Sequence, residues 1–383
     1  MAVRLSTLCT EQLAKLCVFN YLDEQNVVKY LSSSQQKLWF ILCIHGNPFR
    51  IGVERYRTAK LLSDDWNLLV ALLKLRDKES RLHLHRIFQE IFTLHHTITH
   101  NLILRLESFT TTHSVKEIYE ILLFATFLQE AGWFGISERL MRRVLDKMDY
   151  VYVENTLPPN CSRIKYFGPM NPFGPSKNKK NVYSALLEVK LNLLKCFLLQ
   201  PTGVNLQRTE DMILEMQFDQ HLLSNLKQED QIAIKVIFLT LCSSYHYAQS
   251  EYHESLKHAR EAIQLLINYG FCREELINNP RVPINGVKIQ PRITIDCLRQ
   301  MSKALLATGD HETAEKLMEL AMNMNKMEWN GKHVHDIYFA ILLQDYGELL
   351  QSRQKWKKSH NCFTLAVEVK KKKSIIELSN ICK

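Results

Sequence analysis

The stretch from Ile295 to Glu328 carries small residues, large apolar residues and a single glycine at the spacing of a helix–turn–helix repeat, a combination that few folds satisfy. Leu298, Met301, Ser302 and Leu305 fall on a first helix. Gly309-Asp310-His311 makes a turn, and Ala314, Met318 and Ala321 lie on the second helix. Two helices pack closely only where small residues stand at their crossing and large ones fill the flanks. The same register fits Ala340 to Lys373, with Leu343, Tyr346 and Gly347 on a first helix and Trp356, Ser359, Phe363 and Ala366 on a second. His311 and Trp356 are 45 residues apart, against a usual tetratricopeptide (TPR) period of about 34. The surplus reads as a linker or helix extension near Lys326. Two weaker copies are expected at Ile118–Met148, where Phe134, Ser137, Met141 and Val144 take the register, and at Gln228–Tyr269, where Tyr252, Ser255, Ala259 and Ala262 do.

With 46% apolar residues but only 12 Gly and 10 Pro in 383 residues, the chain has core-forming material and little for many tight turns. The expected class is all-α: a TPR-like α-solenoid of antiparallel helix hairpins with a short N-terminal helical box. The expected organisation is a helical box over 1–47, a helical block over 48–154 with the first divergent hairpin, an exposed Pro- and Lys-rich loop over 155–181, and TPR-like repeats over 182–383. Thr10–Tyr21, Asp23–Leu31 and Ser34–His45 read as short helices, Phe49–Asp64 as less regular, Trp66–Lys74 as helix, and Glu79 to about Arg105 as one long helical stretch. Val182–Leu199 is apolar on more than one side and reads as a sandwiched helix, with Arg208–Gln217 as its partner.

The ten cysteines include no C-x-x-C pair and suggest reduced core thiols. No apolar signal core opens the sequence and no run is long enough to span a bilayer, so a soluble cytoplasmic protein is expected, with a nuclear or cytoskeleton-associated pool. The net charge of +9 is spread widely, without the basic stripe and aromatic platforms of a nucleic-acid binder. His96 and His100 stand one turn apart but lack further ligands, and His253 and His258 are five residues apart where a zinc helix needs four. Phosphate-binding glycine loops and a G-x-S-x-G elbow are missing. These features predict no enzyme, no catalytic residues, no cofactor and no metal, and direct attention to peptide recognition on the concave surface that first helices of such repeats line. By register that surface includes Tyr247, Asp296, Arg299, Lys303, Gln344 and Glu348. Arg299 and Lys303, one turn apart, suit a carboxylate, whether a ligand's or that of Asp296 and Glu348 nearby.

At the N-terminus, Leu13, Cys17 and Tyr21, followed by Leu22, share one helical face, in a pattern that resembles the elongin-binding box of ubiquitin-ligase receptors. Glu11 to Asp23 with Val27–Leu31 is also similar to an F-box, and a plain capping helix accounts for the same residues. Several phrases together resemble the amyloid protein-binding protein 2 family: Glu130-Ala-Gly-Trp-Phe, Arg81-Leu-His-Leu-His-Arg-Ile-Phe-Gln, Asp296-Cys-Leu-Arg-Gln-Met-Ser-Lys-Ala with Ala314-Glu-Lys-Leu, and Leu343-Gln-Asp-Tyr-Gly-Glu-Leu-Leu. That family has TPR repeats related to those of kinesin light chain, and its chains continue through further repeats. The resemblance implies a substrate receptor that joins elongin B, elongin C and a cullin in a ubiquitin ligase. It also implies a microtubule-linked adaptor for the cytoplasmic tails of membrane proteins.

Overall fold

The computed structural model of the chain describes residues 10, 12–14, 24–31, 33–45, 51–75, 78–94, 96–109, 115–154, 182–218, 223, 228–269, 291–328 and 337–381. Every regular element among them is an α-helix: α1 (Glu24–Tyr30), α2 (Ser34–His45), α3 (Ile51–Asp64), α4 (Trp66–Leu73), α5 (Lys78–Leu94), α6 (His96–Phe109), α7 (Val115–Ala131), α8 (Phe134–Glu154), α9 (Val182–Leu199), α10 (Gly203–Phe218), α11 (Gln228–Ala248), α12 (Tyr252–Asn268), α13 (Pro291–Ala307), α14 (His311–Glu328), α15 (Ile337–Ser352) and α16 (Trp356–Ile381). The all-α expectation holds for these residues. Among the described residues the chain divides into two compact units, the first made of residues up to Phe127 together with those from Lys373 onward, the second running from Leu128 to Lys372. The loop expected over 155–181 lies outside the described residues.

In the first unit α3 packs on α2, α4 and α6, and α5 packs on α2 and α6. The segment read as less regular is the helix α3. Among its residues whose side chains are described, Thr58, Ala59, Leu61 and Leu62 are buried, and in the sequence Glu54, Arg55, Arg57 and Lys60 interrupt the apolar spacing that would have announced it. The stretch read as one helix to Arg105 is two, with α5 ending at Leu94 and α6 starting at His96, and no glycine or proline marks the break. The Thr99 hydroxyl donates to Ile91 O across that junction at 3.3 Å. Asp65 caps α4 by accepting from Leu68 N at 2.9 Å, which ends α3 and starts α4 at one residue.

In the second unit consecutive helices pair into hairpins, α11 on α12 and α13 on α14, and α13 also packs on α11, α12 and α15. One turn geometry recurs at four helix junctions. Gly132, Ser250, Gly309 and Gln354 all have positive φ, at 91°, 64°, 95° and 57°. Each closes the preceding helix through a pair of backbone bonds, such as Gly309 N to Leu306 O (3.3 Å) with Asp310 N to Leu305 O (3.0 Å), and Gln354 N to Gln351 O (2.9 Å) with Lys355 N to Leu350 O (2.8 Å). The next helix starts two residues later in every case.

A small-residue crossing follows from this turn. Twelve residues separate Ser243 from Ser255, Ser302 from Ala314 and Gly347 from Ser359, and each pair is joined by a hydrogen bond: Ser243 Oγ to Ser255 Oγ at 3.1 Å, Ser302 Oγ to Ala314 O at 2.7 Å, and Ser359 Oγ to Gly347 O at 2.8 Å. At Gly347 the approach is close enough that a Cβ would stand 2.9 Å from Phe363 Cε1. Two turns further along the second helices, Ala262, Ala321 and Ala366 are buried. Ala321 is fully buried in the main core of this unit. Ala321→Leu is therefore expected to lower stability by about 1–3 kcal/mol through overpacking, read as a shift in the urea midpoint; an unmoved midpoint would mean that this crossing is misplaced.

Candidate functional site

First helices of successive hairpins turn one stripe each toward a common groove of about 590 Å³. The stripes follow the three-to-four spacing of a helical face: Glu188, Asn192 and Lys195 on α9; Thr240, Ser244 and Tyr247 on α11; Asp296, Gln300 and Lys303 on α13; Tyr338, Ile341 and Asp345 on α15. The position of α9 is pinned by Gln129, fully buried, whose amide donates to Asn192 O at 2.8 Å and lies 3.2 Å from Cys196 Sγ.

A ladder of alternating charge crosses the floor. Lys195 Nζ stands 3.3 Å from Asp296 Oδ2, Arg299 Nε 3.7 Å from Asp296 Oδ1, Arg299 Nη1 2.6 Å from Asp345 Oδ2 and Lys303 Nζ 2.9 Å from Asp345 Oδ1. Two tyrosines border it. Lys303 Nζ lies 4.7 Å above the Tyr247 ring, and Lys195 Nζ and Arg292 Cζ lie 4.3 Å and 3.5 Å from the Tyr338 ring centre. Burial alone would raise both aspartates. At Asp345 the Lys303 and Arg299 charges outweigh it, and at Asp296 those of Lys195, Arg299 and Arg292, so each carboxyl is held below its ordinary value. Burial pulls the Lys195 ammonium below its usual range against the raising effect of Asp296. It pushes the Tyr247 phenol up to about 12, with Glu348 and Asp345 adding to the effect.

Five of the six groove residues read from the register, Tyr247, Asp296, Arg299, Lys303 and Gln344, line this groove. Glu348 is exposed, outside the lining, and accepts from Gln344 Nε2 at 3.1 Å. The carboxylate that serves Arg299 and Lys303 is Asp345, one turn before Glu348, so the two cations that suited a ligand's carboxylate already hold one of the chain's own. Sequence reasoning missed Lys195, Arg292, Gln300, Tyr338 and Asp345. Arg292 and Tyr338 precede the helix starts expected at Ile295 and Ala340, whereas α13 begins at Pro291 and α15 at Ile337. Of the N-terminal candidates, Leu13 is helical and half-buried, and Cys17, Tyr21 and Leu22 lie outside the described residues.

The charged side chains of the ladder are engaged with one another or with a ring. Among the described residues no group of three or more His, Cys, Asp or Glu is placed to hold a metal ion, and no helix is long and apolar enough to cross a membrane. No protein-family model and no curated protein matches this chain.

Proposed function

We propose that the chain is a non-enzymatic adaptor whose TPR-like hairpins hold a short peptide segment in the groove between their first helices. The observation that carries this reading is the delivery of one largely polar stripe from each of α9, α11, α13 and α15 to a single groove, with Tyr247 and Tyr338 as its aromatics, while α12, α14 and α16 meet α11, α13 and α15 through small residues. A volume of about 590 Å³ is within the range of ligand clefts and admits a few extended residues. The twelve-residue crossing pair and the shared turn support the TPR reading in particular.

The finer reading rests on the resemblance to the amyloid protein-binding protein 2 family. In it the groove selects substrates for a cullin-RING ubiquitin ligase, and the face of Leu13, Cys17, Tyr21 and Leu22 binds elongin B–elongin C. Its test is co-elution of the purified chain with elongin B–elongin C and a cullin. A stable complex is expected, abolished by Leu13→Asp with Cys17→Asp while the helical circular dichroism is retained. Failure of the unsubstituted chain to co-elute would sink the ligase role and favour a trafficking adaptor that binds cargo tails in the same groove.

A further inference from the structure

Beside the ion pairs of the groove stand two polar atoms that the ladder does not use. Gln300 is 5% exposed, and its carboxamide oxygen Oε1 is buried without a hydrogen-bond partner; the Tyr338 hydroxyl is in the same state. Both residues line the groove. Gln300 stands one turn beyond Asp296 on the α13 stripe, and Tyr338 reaches the groove from α15 beneath Arg292 and Lys195. Buried polar groups are ordinarily paired, so an occupant gains by reaching these two orphan atoms on residues that line one cleft. Gln300 Oε1 requires a donor, and the Tyr338 hydroxyl has a proton to give.

The charges point the same way. Arg299 and Lys303 share Asp345, and Lys195 and Arg299 share Asp296. A ligand carboxylate entering here would shed its water and then lie beside two carboxylates that already hold these cations, which leaves it little net gain. A neutral amide brings one N–H and one carbonyl oxygen without that desolvation.

We propose that the groove selects uncharged, amide-bearing peptide segments: Gln300 Oε1 accepts an amide N–H, the Tyr338 hydroxyl donates to an amide carbonyl, and the ladder from Lys195 to Lys303 is the frame that fixes them. This rests on the peptide-binding reading above and gives it a ligand class. The amides belong either to the peptide backbone or to Asn and Gln side chains.

Three pools of acetylated, C-terminally amidated octapeptides separate the possibilities: one of Ala, Ser, Leu, Asn and Gln, one with Asp and Glu at half the positions, and one with Lys and Arg there. Each is titrated calorimetrically into the purified chain at one ionic strength. The neutral pool is expected to bind about tenfold more tightly than the acidic one. Gln300→Met and Tyr338→Phe keep the bulk and delete the polar atom, and each should weaken the neutral pool by about three- to tenfold while leaving the acidic pool unchanged. Backbone N-methylation of the neutral pool removes binding if the backbone supplies the amide; a pool without Asn and Gln loses it if the side chains do. If Gln300→Met fails to fold, Tyr338→Phe, which deletes a single oxygen, decides. Tightest binding by a charged pool, or parental affinity in both variants, overturns the neutral-amide proposal and leaves peptide binding standing. Binding by none of the pools overturns both.

Discussion

Asp345→Ala is expected to destabilise the second unit by about 3–5 kcal/mol, because it removes the buried carboxylate that Lys303 and Arg299 share and leaves Arg299 only the longer contact to Asp296. The Asp345 side chain is 5% exposed, and its partners Arg299 and Lys303 are 14% and 19% exposed. Neither cation reaches full hydration without moving its helix. Urea titration at pH 7 reads the loss directly. Replacing the three together, Asp345→Leu with Arg299→Met and Lys303→Met, should recover most of it, since an apolar cluster of similar volume carries no uncompensated charge. A triple variant as unstable as the single one would show that shape rather than charge is at stake. The pH dependence has a definite sign. Asp345 and Asp296 are held below their ordinary value of 3.8 in the folded chain. Their contribution is therefore complete above that value, and it is lost as the pH falls below it through the folded-state values. The gap between parent and Asp345→Ala should be constant from pH 7 to about 5 and narrow below about 4.

Phe88→Ala is expected to cost about 3–5 kcal/mol, the range for an aromatic removed from a closed core. Phe88 is fully buried in the first unit, with Phe92, Phe124 and Phe127 set edge-on around it at centroid distances of 5.8, 5.8 and 5.2 Å. Three oriented ring contacts disappear together with the area that the side chain buries. Hydrogen exchange locates the damage: amides of α5 should lose protection while those of α13 and α14 keep theirs. Phe88→Leu should cost clearly less, because it refills most of the volume. Equal losses for the Ala and Leu variants would assign the effect to ring geometry instead of to the cavity.

How much of this could be read beforehand depended on whether the cue was local. The limits of α2 and α9 match the expected Ser34–His45 and Val182–Leu199, since both are bounded by residues that stop a helix or by an abrupt change in polarity. Gly132 and Gly309 announce their turns. Ser250 and Gln354 adopt the same left-handed backbone, yet neither residue type signals it, and only the hairpin geometry imposes it. Five of the six positions read from the register line the groove because its stripes recur at helical spacing. Its wiring was not, because Arg299 and Asp345 are 46 positions apart. Which of Asp345 and Glu348 meets the cations is decided by how α13 crosses α15, and no nearest-neighbour pattern in either helix records that angle. The Gln300 orphan is equally invisible in sequence, where a glutamine between an arginine and a methionine reads as surface.

The interval from one small crossing residue to its partner is the same twelve residues in the three hairpins where hydrogen bonds record it, whereas the left-handed residues themselves stand at 132, 250, 309 and 354, at uneven distances. Length variation is therefore absorbed between hairpins and refused within them. One residue inserted between Lys303 and Gly309 would leave the groove stripe in place but shift the turn, and one inserted between Asp296 and Ser302 would swing Asp296 and Arg292 about 100° around the helix. Homologous chains of this type should accordingly differ by insertions and deletions at hairpin junctions, and a one-residue deletion between Asp296 and Ser302 should erase the groove even if the fold survives.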